Sequence, residues 1–449
     1  MSEIHELPFS FRLAKKYIRF TFTRFYGDFI VLGKENIPKE GPVIFAPNHL
    51  NALMDALAVQ VVSPENYSTT FLARADLFRN KSLARFLHSI KIMPAFRIRD
   101  GIENLGKNTD IFDQCVEILK SNNALGIMPE GNQELERKIR PLVKGIFRIA
   151  FPAQQKIGDS KSVKIIPIGI DYEDFIKFGK NIIVNIGQAI DVQEYIKSYN
   201  SNPAVALNEI KKRLKTELEN LTVHLDTNDF YSCFETSVYV ANNAMLLKMG
   251  LEDNKINRFK ARCETGKILV ETEKKSRDKI LKLNELCKKL NSELDELNFR
   301  IKDISHQPAG KTTLILKSVA LLFSLPVFIL GFMFNFLPFF TPLFLTRGMK
   351  VKFPGFLSSI YYGASILTFP IFYLLQILIL TSVLSTPWWT GFLLAPLFYF
   401  LGKFAFYGWY KNFRKINFDF RLKKIIRHHP EKLNSLVKLS GEISDLIVE

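Results

Sequence analysis

The chain has 449 residues, a formal charge of +17 and 47% hydrophobic residues, 40 of them phenylalanine. That length exceeds one comfortable core, so two or more structural units are expected. The charge suits an anionic partner: nucleic acid, anionic lipid headgroups or a phosphorylated substrate. Cys115, Cys233, Cys263 and Cys287 show neither CxxC pairing nor metal-ligand spacing, so neither a disulfide framework nor a zinc site is indicated, which fits a reducing cytoplasm.

In chain order, the opening MSEIHELPFSF carries acids and lacks an uninterrupted apolar segment, which argues against a cleaved signal peptide. Residues 8–27 interleave Phe9, Phe11, Leu13, Tyr17 and Phe20 with Arg12, Lys15, Lys16, Arg19 and Arg24. Such a stretch, set off as 1–29, predicts a helix lying in a membrane interface or an ordinary first helix packed on the domain. Over 30–225, β-branched runs such as VIFA and VKIIPIGID alternate with helix-like stretches, the pattern of an α/β domain. Residues 226–312 read as helical, with Leu283, Leu286, Leu290, Leu294, Leu297, Ile301 and Ile304 recurring at threes and fours. That stripe is a packing or coiled-coil face.

The region 313–415 differs in kind. From Phe353 to Gly402, fifty residues pass without one ionisable side chain, enough for two membrane crossings turning near Ser385-Thr386-Pro387. Trp388, Trp389 and Trp409 sit where interfacial aromatics belong. Arg347, Lys350 and Lys352 precede this hairpin, and Lys403, Lys411, Arg414 and Lys415 follow it. The positive-inside rule puts both of its ends in the cytoplasm, with 416–449 as a basic cytoplasmic tail. The earlier uncharged run Ser318–Thr346 contains Pro326, Pro338 and Pro342. As one crossing it would put the basic cluster outside, so a re-entrant or in-plane broken helix is preferred over a span.

Candidate chemistry lies in the α/β part. PNHLNALMDALA (47–58) places Asn48, His49 and Asp55 just after an apolar strand. A histidine held by a carboxylate is a minimal general base, because the carboxylate fixes one tautomer and leaves the other nitrogen open. Then come IMPAFRIRDG (92–101) with Arg97 and Arg99, ALGIMPEGNQ (124–133) with Glu130, Gly131 and Asn132, RPLVKGIFRIA (140–150) with Arg140, Lys144 and Arg148, and VKIIPIGIDY (163–172) with Pro167. Singly, each reads equally as surface charge, turn or strand edge.

In order, these blocks resemble the glycerophosphate acyltransferase superfamily, the PlsC-like enzymes. That family carries an NH…D block, a block ending in arginine, an EG block and a proline strand, all found here within 48–167. The overall pattern is most similar to a branch with C-terminal membrane segments, shared by Bacteroidetes-type and fungal proteins. The resemblance implies a mixed sheet flanked by helices, followed by a helical segment and a C-terminal α-helical membrane region. It implies acyl transfer from acyl-CoA or acyl-carrier protein to glycerol 3-phosphate or 1-acylglycerol 3-phosphate, with no cofactor beyond the co-substrate. His49 would be the base and Asp55 its partner. Asn48, Arg97, Arg99, Glu130, Gly131 and Asn132 would serve the phosphorylated acceptor, and Pro167 would shape the fourth block.

Two departures stand out. Five residues separate His49 from Asp55 where the family usually has four, so His49 is expected in the turn before the helix, which absorbs the extra residue. Asn132-Gln133 replaces the usual Thr-Arg, leaving Arg140 or Lys144 to supply the missing cation. Rival readings are acylation of another acceptor (dihydroxyacetone phosphate, a lysophospholipid, an aminoacyl lipid) and a non-catalytic membrane scaffold. No nucleic-acid module and no transporter repeat is visible; anionic membrane lipid is the expected surface partner.

Overall fold

The structure is a computed structural model that describes residues 9–96, 106–349, 351 and 353–448. The chain folds as two compact units, one of Met1–His224 with Phe353–Ser359 and the other of Leu225–Lys352 with Ile360–Glu449.

The first unit is built on eight strands: β1 (Phe29–Leu32), β2 (Val43–Pro47), β3 (Thr70–Arg74), β4 (Ile92–Ala95), β5 (Ala124–Gly126), β6 (Lys164–Tyr172), β7 (Ile182–Ile186) and β8 (Ile190–Asp191). They form one mixed sheet in the order β1-β7-β6-β2-β5-β3-β4, with β8 beside β6. Strands β2, β5 and β6 are parallel neighbours, whereas β7 and β8 run antiparallel to β6. Val43 through Ala46 are wholly buried, because β2 lies mid-sheet with both faces covered, which is why VIFA is apolar at every position. The helices are α1 (Phe9–Phe25), α2 (Ala52–Val62), α3 (Lys81–Ser89), α4 (Lys107–Lys120), α5 (Gly145–Ile157), α6 (Ile196–Ser201) and α7 (Pro203–Leu221). Cys115, Leu119, Phe147, Phe151, Ile210 and Leu214 from α4, α5 and α7 join Ile44, Leu125 and Ile165 of the strands in one core.

Pro167 sits where β6 changes partner. Ile165 pairs with Ile190 of β8 and Ile168 with Ile186 of β7, and between them Gly187 N–H donates to Pro167 O at 2.9 Å. A proline costs no ladder bond at such a junction, so it is tolerated in a central strand.

One face of α1 is buried and the other is exposed. Phe11, Lys15 and Phe22 are buried, and Lys15 Nζ donates to Pro64 O (2.6 Å) and Tyr67 O (3.1 Å). Phe9, Leu13 and Phe20 are exposed on the helix, together with the cations Arg12, Lys16 and Arg24.

The second unit holds α8 (Tyr231–Val240), α9 (Asn242–Lys248), α10 (Lys255–Lys275), α11 (Arg277–Glu296), α12 (Lys311–Phe323), α13 (Leu325–Gly348), most of α14 (Gly355–Val383), α15 (Leu394–Lys403), α16 (Tyr410–His428) and α17 (Pro430–Val448). Leu283, Leu290 and Leu294 of the leucine stripe are buried on α11, as are Leu436, Leu439 and Ile443 on α17. Lys432 Nζ reaches Glu296 Oε1 (2.5 Å), and Ser435 Oγ donates to Glu293 Oε1 (3.0 Å).

Three stretches are long and apolar enough to cross a membrane: Leu325–Gly348, Gly355–Val383 and Trp388–His428. The run Ser318–Thr346 is interrupted ahead of Pro326, where α12 ends at Phe323 and α13 starts at Leu325, and α13 then runs on through Pro338 and Pro342. A proline inside a helix strips the carbonyl four residues earlier of its donor, and here α14 supplies the replacements. Gln376 Nε2 donates to Phe334 O (2.8 Å), freed by Pro338, and Thr368 Oγ1 donates to Pro338 O (3.0 Å), freed by Pro342. Neighbouring side chains thus restore what the prolines remove. Asn335, 2% exposed, ties the group together: its Nδ2 donates to Phe398 O (3.0 Å), and its Oδ1 accepts from Tyr373 Oη (2.6 Å).

Candidate active site

Strands β2, β5 and β6 run parallel, so their carboxyl ends deliver three loops to one edge of the sheet, where α/β folds place their sites. The first loop is the turn Asn48–Asn51, leading into α2. His49 Nδ1 lies 2.9 Å from Asp55 Oδ2, although the two are six positions apart. Ala52, the first residue of α2, has φ +44°. This left-handed step, costly for a residue with a Cβ, absorbs the extra residue and turns His49 back over the helix start. Asp55 is fully buried and gathers several donors of the turn. Its Oδ2 also accepts from Leu50 N–H (2.9 Å) and Asn51 N–H (2.7 Å), satisfying amides that a helix start leaves open. Its Oδ1 accepts from the Tyr172 hydroxyl at 2.6 Å. The His49 side chain is 17% exposed, and its Nε2 has no hydrogen bond among the described residues. With Nδ1–H given to the carboxylate, Nε2 is left as the open proton acceptor.

The second loop, 127–144, holds the turn from the other side. Glu130 Oε1 accepts from His49 N–H (2.8 Å), and Oε2 accepts from Arg140 N–H (3.0 Å) and Arg140 Nε (2.8 Å). Arg140 Nη2 donates to His49 O (3.1 Å) and to Asn132 O. Gly131 has φ +66°, and a Cβ there would meet the Val143 side chain at 3.2 Å, so the Glu-Gly pair is a turn only glycine makes without strain. Arg137, buried, pins this loop to β6: its Nε donates to Asp171 Oδ1 (3.0 Å) and its Nη2 to Tyr172 O (2.7 Å). Asn51 is fixed from two further sides. Its Nδ2 donates to Phe175 O (2.8 Å), and its Oδ1 accepts from Ser358 Oγ (2.8 Å), a residue that groups with this unit.

Several sequence expectations change here. Asn48, expected at the acceptor, is 1% exposed. Its Nδ2 donates to Ile170 O (3.1 Å) while its Oδ1 accepts from Ile170 N–H (2.7 Å), so its amide fastens the turn to β6. Glu130, expected to bind the acceptor, likewise has both oxygens committed to His49 and Arg140 and orders the site from beneath. Lys144, just ahead of α5, is exposed. Arg97, Arg99 and Asp100 lie outside the described residues; the strand leading to them, β4, ends at Ala95. Asp76 is paired with Arg74 (3.0 Å). Sequence reasoning missed Tyr172, Arg137 and Asn51. No group of three His, Cys, Asp or Glu among the described residues could hold a metal ion.

A histidine with one nitrogen fixed by a buried carboxylate and the other open, at the carboxyl ends of parallel strands, is an arrangement chemically able to accept a proton. Residues 28–171 match the family model described as Acyltransferase, and the chain carries an acyltransferase-family domain. It is 29% identical over 116 residues to glycerol-3-phosphate O-acyltransferase 1 of Saccharomyces cerevisiae, covering 25% of this chain and 15% of that protein. It is 26% identical over 192 residues to 1-acyl-sn-glycerol-3-phosphate acyltransferase of Bacillus subtilis, covering 42% of this chain and 87% of that protein. Among solved structures, the 1-acyl-sn-glycerophosphate acyltransferase PlsC from Thermotoga maritima is similar at 21% identity and a TM-score of 0.33, covering 46% of this chain and 79% of that one.

Proposed function

We propose that this chain is a membrane-held O-acyltransferase. It moves a fatty acyl group from the thioester of acyl-CoA or acyl-carrier protein to a hydroxyl of glycerol 3-phosphate or 1-acylglycerol 3-phosphate. The observation that carries this reading is the His49 Nδ1–Asp55 pairing at 2.9 Å, inside a segment that matches an acyltransferase family model. The two acceptors are those in the names of the yeast and Bacillus relatives.

A thioester is already activated, so the barrier lies with the weakly nucleophilic hydroxyl. His49 Nε2 takes the hydroxyl proton as the oxygen attacks the thioester carbonyl. The tetrahedral adduct expels the thiolate, and the proton returns from His49 to sulfur. A positioned base is worth about 10²–10⁴-fold in rate, and Asp55 steadies the imidazolium formed midway. Among the described cations, Arg140, whose Nη2 donates to His49 O at 3.1 Å, is our candidate for the acceptor phosphate. Fixing the phosphate orients the hydroxyl at His49. The test is purified protein in detergent, offered each acceptor with acyl-CoA or acyl-carrier protein, products read by mass spectrometry. Acylated glycerol phosphates are expected. Acylation of a non-phosphorylated acceptor alone would overturn the acceptor assignment, and no thiol release with any acceptor would favour the scaffold reading.

For the sidedness we propose a hairpin of α14 with the helix after Trp388 and an α13 that does not fully cross. The packing of α11 on α17 through Glu296–Lys432 and Glu293–Ser435 supports an even number of crossings between them. Tags at residue 350 and at the C-terminus should both report the cytoplasm, in keeping with the flanking cations. A tag at 350 reporting the far side would make α13 a crossing and remove this topology.

A further inference from the structure

We propose that Tyr172 is a positioning residue for the His49–Asp55 pair, fixing the carboxylate through its hydroxyl. The proposal rests on the reading of His49 as the base and adds to it the last residue of the fourth block, to which the resemblance gave no role. The three donors on Asp55 Oδ2 are His49, Leu50 and Asn51, and all belong to the turn that Asp55 itself caps. They hold the carboxylate to the turn and say nothing of where the turn stands against the sheet. Oδ1 has a single recorded donor, the Tyr172 hydroxyl at 2.6 Å, from a residue 117 positions away on a central strand.

Tyr172 is built to stay put. It is fully buried, and its ring packs against Tyr26 (centroids 6.1 Å apart) and Phe175 (5.9 Å). Its backbone pairs with Ile182, and its carbonyl holds Arg137 Nη2 at 2.7 Å. Burial, then the Asp55 charge, hold its hydroxyl protonated well above the usual phenol range, so it is a donor throughout the working pH range. A carboxylate held at one oxygen by its own turn and at the other by the sheet has no freedom left about its last torsion, and the imidazole it orients inherits that precision.

Removing the hydroxyl frees Asp55 Oδ1 and loosens the carboxylate that fixes the His49 tautomer. The other charged or titratable groups around the pair are Tyr26, Asp171 with Arg137, and Glu130 with Arg140; the substitution leaves all of them in place.

In the full-length protein in detergent, Tyr172→Phe should lower kcat about tenfold, the size of one hydrogen bond to a charged group, with both KM values nearly unchanged. Nitrogen-15 NMR of labelled histidine, with His49→Ala for assignment, should show the Nδ1–H tautomer of His49 less strongly populated in the variant without substrate. In an Asp55→Asn background the same substitution should add little further loss, because its route runs through Asp55. An unaltered kcat and His49 tautomer in Tyr172→Phe, or a full tenfold loss repeated on top of Asp55→Asn, would overturn the proposal. Retained activity in His49→Ala would instead bring down the base assignment on which it rests.

Discussion

His49→Ala is expected to cost at least about 10² in turnover while the protein stays folded and membrane-bound. The side chain projects from a turn that keeps its own ties: Glu130 still accepts from residue 49 N–H, and Asp55 still accepts from Leu50 and Asn51 N–H. Little stability should therefore be lost, and thermal unfolding should stay close to that of the parent. Asp55→Asn should cost at least as much activity. An amide at that position cannot stabilise the imidazolium, and it can hold His49 in the tautomer that points a proton at the hydroxyl instead of a lone pair. The measurement is single-turnover acyl transfer with thiol release followed in parallel. Near-parental turnover in a well-folded His49→Ala variant would remove the mechanism.

The parts legible in the sequence were those set by local pattern. VIFA announces a strand buried on both faces, and the uncharged stretch after Phe353 leaves no room in a soluble core. The turn carrying His49 was legible because its residues are close in the chain. What escaped was decided by partners far away. Tyr172 ends a strand as any aromatic might, and its use depends on a carboxylate 117 positions earlier. Arg137 sits in ELERKIR, which reads as a solvated charge run, yet its side chain is 4% exposed because β6 brings Asp171 beneath it. Asn48 reads as a polar group beside a catalytic histidine, but the parallel pairing of β2 with β6 spends its amide on Ile170. Pro338 and Pro342 announce a broken helix only if nothing replaces their lost donors, and the replacements, Gln376 and Thr368, lie on the next helix.

Glu130→Ala is expected to have the largest effect on stability, for a reason that differs from its motif role. The Glu130 side chain is 1% exposed and that of Arg140 is 14% exposed. The carboxylate accepts from His49 N–H, Arg140 N–H and Arg140 Nε. Removing it leaves a guanidinium largely out of water with only the exposed Glu134 carboxylate, 3.9 Å away, as counter-charge, and two amides without acceptors. Breaking a buried pair from one side costs about 3–5 kcal/mol, which for a domain of this size lowers Tm by roughly 6–20 °C. Glu130→Gln keeps the volume and one acceptor oxygen, so it should fall between the parent and Glu130→Ala. The double variant Glu130→Ala/Arg140→Met removes the orphaned charge with its partner and should recover part of the loss, although it forfeits the acceptor cation and with it activity. Thermal unfolding of the four proteins in one detergent separates the cases. If Glu130→Ala unfolds within about 2 °C of the parent, or the double variant is less stable than the single by the full cost of each change, then the carboxylate is no keystone of the loop. Its commitment to Arg140 would then be weak enough for an acceptor to displace.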